Sequence, residues 1–199
     1  MTRHSIHRRL LVALVAAGAS ICLAAPAQAA KPYDWPNADL TLPWASAPMH
    51  DGQSCPGGRL QFTEIGESTP GIGLAAQAGF TYTIHVVDTA DVTGDRRPDT
   101  VVRLACYDGR DGRQDQMGWY YLYTVRHNRP VLLDFMTSSD ERANADYAVQ
   151  GVDAGRGRID VTEVVSVLPE LVSRTFTWTG RELVADQPLP LFPDADVAP

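Results

Sequence analysis

Phe80-Thr81-Tyr82-Thr83-Ile84-His85-Val86 alternates without a break between apolar or aromatic side chains and polar ones. A period of two is the pattern of a half-buried strand, because successive side chains leave opposite faces of the backbone. Phe80, Tyr82, Ile84 and Val86 are expected to face a core, and Thr81, Thr83 and His85 to face outward. The run leads into Asp91-Val92-Thr93-Gly94-Asp95-Arg96-Arg97-Pro98-Asp99, and then into the apolar stretch Thr100 to Tyr107, where Val101, Val102, Leu104 and Ala105 read as a buried strand. Strand, polar loop, strand is the unit from which the rest of the chain is read.

Outward from this unit the same signal recurs. Arg59 to Ile65 reads as a strand. Trp119 to Arg126 alternates, with Trp119, Tyr121, Tyr123 and Val125 on one face and Tyr120, Leu122 and Thr124 on the other. Val131 to Met136 follows the turn at His127-Asn128-Arg129-Pro130. Tyr147 to Val152 and Arg158 to Leu168 form a hairpin about Asp153 to Gly157. Ser173 to Thr179 and Glu182-Leu183-Val184 complete the set. Glu67 to Gly79, with three glycines and Pro70, reads as a loop with one helical turn at Leu74 to Ala78. About eight short strands with glycine turns and no long helical pattern predict an all-β, single antiparallel domain, sandwich or two-blade propeller-like. The expected division is a signal peptide at 1–29, an extended arm at 30–50 anchored by Trp35 and Trp44, the β domain at 51–185, and a Pro-rich tail at 186–199.

The loop carries the only chemistry with a clear spacing. Asp91, Thr93, Asp95 and Asp99 stand at positions 1, 3, 5 and 9, and the carbonyl of Arg97 falls at position 7. Alternate residues of a tight loop can turn their oxygens onto one point, and Ca²⁺ takes six to eight oxygen ligands. The stretch resembles the calcium loop of FG-GAP and VCBS repeats, roughly D-x-[DNT]-G-D-G-x-x-D before an apolar strand. The resemblance covers about fifteen residues of this chain. It implies a Ca²⁺ site made by Asp91, Thr93, Asp95, Arg97 and Asp99. It departs at Arg96, where the family has glycine; a positive φ there would strain a side-chain-bearing residue. Val102 stands where an EF-hand has its bidentate Glu, so this is no EF-hand. The competing reading is an acidic turn that binds nothing, and Asp108, Asp111 and Asp115 are the second acidic group.

The first residues predict export. Arg3, Arg8 and Arg9 precede an apolar run from Leu10 to Leu23, and Ala27-Gln28-Ala29 is an A-x-A cleavage site. Cleavage after Ala29 or Ala30 removes three arginines and no acids, so the formal charge of −7 becomes −7 − 3 = −10. An acidic chain disfavours nonspecific nucleic-acid binding. No further run is long enough to span a bilayer. A monomer that meets an extracellular protein or glycan is the expected form.

After cleavage two cysteines remain, Cys55 and Cys106, and an even count in an exported chain predicts a disulfide. His50, His85 and His127 have no metal or triad spacing. Asp160 and Glu163, at odd spacing on one strand, would point to opposite faces and so make a poor glycosidase pair. The chain therefore reads as a secreted non-catalytic module, with a secreted hydrolase or a protein inhibitor presenting Glu67 to Gly79 as the alternatives.

Overall fold

The structure, a computed structural model, describes residues 32–42, 55–66, 69–108, 116–140, 147–165 and 168–187. The signal segment, Trp44, His50, Asp111, Asp115 and the tail beyond Gln187 lie outside these residues. The described residues from Tyr33 onward belong to one compact unit.

Twelve strands are present among the described residues, all paired antiparallel, in three sheets. β1 (Asp39–Leu42) pairs with β2 (Gly58–Gln61). A six-stranded meander follows: β3 (Thr63–Glu64), β4 (Ile72–Gln77), β5 (Phe80–Ala90), β6 (Asp99–Asp108), β7 (Gln116–Arg126) and β8 (Arg129–Asp140). A second, four-stranded meander holds β9 (Tyr147–Gly155), β10 (Arg158–Val165), β11 (Leu168–Trp178) and β12 (Leu183–Ala185). The all-β expectation holds, as a layered sandwich with more strands than the eight or so expected.

The large sheet is covered on both faces, and β6 shows why its sequence is so apolar. Val102 and Leu104 face one cluster with Tyr82, Ile84, Tyr121 and Tyr123, under Trp35, Leu40, Leu60 and Phe62. Val101 faces the other cluster with Tyr120, Leu122 and Met136, against Ile159, Val161 and Phe176. A strand covered on both sides loses its polar alternation. Cys55 and Cys106 are joined in the first cluster, with Cα atoms 6.5 Å apart.

Several expectations are corrected. Among the described residues of Glu67 to Gly79 there is a strand, β4, where the sequence predicts a helical turn at Leu74 to Ala78. Ala75 faces the core, and Gly73 lets the Pro36 carbonyl come so close that an added Cβ would lie 2.1 Å from its oxygen. Ala78 and Gly79, both at positive φ, make a two-residue turn into β5. The segment is tied into the sheet on both sides, through β3 and β5. Arg59 to Ile65 is two strands, because β2 pairs with β1 whereas β3 pairs with β4. The arm is partly structured, with a 3-10 turn at Trp35–Asn37 and β1 behind it. Val86 is exposed and lines an open hollow with Tyr33, Trp35 and Pro36. At the start of the tail, Asp186 exchanges backbone and side-chain bonds with Thr175 of β11.

The small sheet crosses the large one. Val149, near the start of β9, donates its N–H to Ser139 Oγ of β8 at 3.1 Å, and Ala154, further along, donates to Asp88 Oδ2 of β5 at 2.6 Å. β5 and β8 are three strand steps apart, roughly 14 Å, and the intervening stretch of β9 advances roughly 16 Å. Asp88 is level with Asp134 in the register, so Ser139 also lies five residues further along its strand, and β9 runs obliquely over the strands beneath it.

Candidate functional site

The acidic loop leaves β5 after a bulge between Val86 and Asp88 and enters β6 at Asp99, which pairs with Ala90. Inside it, each acidic side chain reaches a backbone amide. Thr93 N donates to Asp99 Oδ2 at 2.8 Å, Arg96 N to Asp91 Oδ1 at 3.1 Å, and Arg97 N to Asp95 Oδ1 at 2.9 Å. These bonds hold a tight turn in the way short polar side chains usually do. Gly94 has φ +76, and Arg96 has φ +69 in the glycine position of the resembling motif. A left-handed arginine costs about 1–2 kcal/mol, which the flanking amide bonds offset.

Val92 anchors the loop. It is fully buried between the sheets, and its carbonyl accepts from Gly157 N at 3.1 Å in the β9–β10 hairpin. The Gly157 carbonyl in turn accepts from Trp178 N at 3.0 Å. The loop is thus fastened to the small sheet while it connects two strands of the large one.

The structure brings Thr93 and Asp99 together, leaves Asp91 half-buried, and leaves Asp95 and Arg97 exposed. Asp99 is 0 % exposed; its Oδ1 and the Thr93 hydroxyl are both buried with no hydrogen-bond partner. Among the described residues, no three His, Cys, Asp or Glu side chains gather as a ready-made metal cluster. A buried carboxylate oxygen without a partner is costly, and a cation is one way to satisfy it. On donor chemistry the buried oxygens of Asp99 and Thr93 fit a hard cation; Asp91, Asp95 and the Arg97 carbonyl would complete the set.

The other candidates are placed as follows. His85 lies on β5 opposite Arg103; burial, and then the Arg103 charge, push its imidazole below the usual range. Asp160 is half-exposed, accepts from Thr175 Oγ1 at 2.7 Å and pairs with Arg158, while Glu163 points inward. Sequence reasoning missed what Glu163 does there. Its Oε2 lies 3.1 Å from Arg174 Nη2, with both side chains buried. The signal was available, since Glu163 continues the inward face of Ile159 and Val161, and Arg174 that of Phe176.

No family model, no curated protein and no solved structure matches this chain. Among the described residues no helix is long and apolar enough to cross a membrane.

Proposed function

We propose that the chain is an exported, non-catalytic β module whose Asp91–Asp99 loop is a weak Ca²⁺ site, and which binds a partner outside the cell. The observation that carries the calcium reading is the buried Asp99 carboxylate with its unpartnered Oδ1, beside the buried Thr93 hydroxyl. Water can neither solvate that oxygen freely nor be replaced there by a neighbouring N–H. A divalent cation would compensate the charge, and the loop's other oxygens are in the same turn. Calcium would stabilise the fold, because Val92 fastens this loop to the hairpin of the small sheet. Export is supported by the signal-peptide pattern and by the disulfide between Cys55 and Cys106.

A second reading has its own observation. One oxygen each of Asp91, Asp95 and Asp99 already accepts a loop amide, so the turn is closed without an ion. Thermal unfolding with and without millimolar Ca²⁺ separates the two: a rise in Tm supports the site, and indifference supports the plain turn.

A further inference from the structure

On the face of the large sheet that β1 and β2 cover, a cavity of about 570 Å³ opens between β1 and the β7–β8 hairpin. The hairpin turn, His127-Asn128, has φ of +52 and +58, the two-residue geometry that matches strand twist. It sets Asn128 and Arg129 along one wall. The opposite wall carries Asp39 of β1 and Arg59 of β2, joined by two hydrogen bonds, one of them Arg59 Nε to Asp39 Oδ1 at 2.8 Å. Tyr123 lies at the base, packed edge-on against Trp35, and its hydroxyl is buried with no partner. Tyr33 lines the side. Burial holds the Tyr33 and Tyr123 hydroxyls above the usual phenol range, so both remain O–H donors at neutral pH. Arg129 makes no ion pair among the described residues.

We propose that this cavity binds an acidic oligosaccharide. The Asp39–Arg59 pair presents fixed acceptors and donors side by side, the arrangement that adjacent sugar hydroxyls need. The Tyr33 ring offers an apolar face for the C–H side of a pyranose. Tyr123 supplies a donor whose only cost, while unpartnered, is to the free protein. Two guanidiniums against one carboxylate leave the cavity one positive charge in excess, on a chain that is acidic as a whole. Arg129, which has no ion-pair partner among the described residues, takes the sugar carboxylate. A peptide strand would ask for apolar pockets at alternate positions, and these walls offer mainly hydrogen-bonding groups.

This inference rests on the non-catalytic reading, and the experiment keeps the two apart. Calorimetry is run on the exported protein with a short oligogalacturonate and with a neutral cellooligosaccharide of matched length, and the sugar is recovered afterwards and sized. The oligogalacturonate should bind and come back intact, and the neutral sugar should bind at least about tenfold more weakly. Arg129→Gln should weaken binding about tenfold, and Tyr123→Phe, which keeps the ring, about threefold. No binding of the oligogalacturonate, equal binding of the neutral sugar, or binding unchanged in both variants would overturn the proposal. A shortened sugar would overturn the non-catalytic reading and leave the ligand class standing.

Discussion

Asp88 and Asp134, on different strands of the large sheet, make the same pair of bonds. Asp88 accepts its neighbour Thr89 N at Oδ1 and Ala154 N of the small sheet at Oδ2; Asp134 accepts Phe135 N at Oδ1 and Leu183 N at Oδ2. β9 and β12 are the two edges of the small sheet, so each carboxylate closes an edge N–H that would otherwise invite another strand. Both aspartates sit beside ladder bulges, which re-aim side chains.

Removing either clasp leaves a backbone N–H without its partner. Asp88→Ala and Asp134→Ala should each destabilise the fold by about 1–3 kcal/mol in denaturant unfolding. Because the sites lie at opposite edges, the double variant should be close to additive. Two single variants as stable as the wild type would show that the clasps contribute nothing.

The buried pair of Glu163 and Arg174 predicts an asymmetry. Glu163→Gln or Arg174→Met alone strands one charge in the inter-sheet core and should cost about 3–5 kcal/mol. Replacing both with apolar residues of similar size should recover most of that loss. A double variant as unstable as the worse single one would contradict this.

The disulfide closes a span of 51 residues between two fully buried sulfurs. Cys55→Ser should lower stability by about 4 kcal/mol in the chain-entropy account. Free-thiol titration of native protein should find none from this pair, and two titratable thiols would contradict the pairing.

Alkaline pH should unfold the protein through its tyrosines. Burial pushes Tyr82 from 10.0 up to about 12, and holds Tyr121 and Tyr123 higher still. A folded pKa above the unfolded one means that the contribution is fully present below pH 10 and is lost as pH rises toward 12. The denaturation midpoint should therefore fall across that window, and the share of tyrosinate absorbance due to Tyr82, Tyr121 and Tyr123 should appear together with unfolding. Ionisation of Tyr82, Tyr121 or Tyr123 in a still-folded chain below pH 11, identified by comparison with the single Tyr→Phe variants, would contradict the burial of these hydroxyls.

What the sequence made legible follows from burial. Phe80, Tyr82 and Ile84 were readable because a single layer covers their face; Val101 and Val102 were readable because each meets a separate core. β4 was not, because Gly73 and Ala75 are small for close packing under Pro36 and so resemble loop residues. The loop's Asp99 was legible from spacing, and the left-handed Arg96 from the motif. The clasps at Asp88 and Asp134 were not, since they depend on ladder bulges that no local pattern announces. Nor was the cavity over Tyr123, whose walls come from strands more than sixty residues apart in the chain.

The most direct test of the account is the Ca²⁺ dependence of Tm, in the wild type and in Asp99→Asn. Binding at ten times the dissociation constant adds about 1.4 kcal/mol, a rise of roughly 3–5 °C for a domain of this size. The wild type should show that rise in millimolar Ca²⁺. Asp99→Asn keeps an acceptor for Thr93 N, removes the buried charge, and should melt at the same temperature with and without Ca²⁺. A wild-type Tm indifferent to Ca²⁺, or a Ca²⁺-dependent rise that survives in Asp99→Asn, would contradict the assignment of the site to this loop.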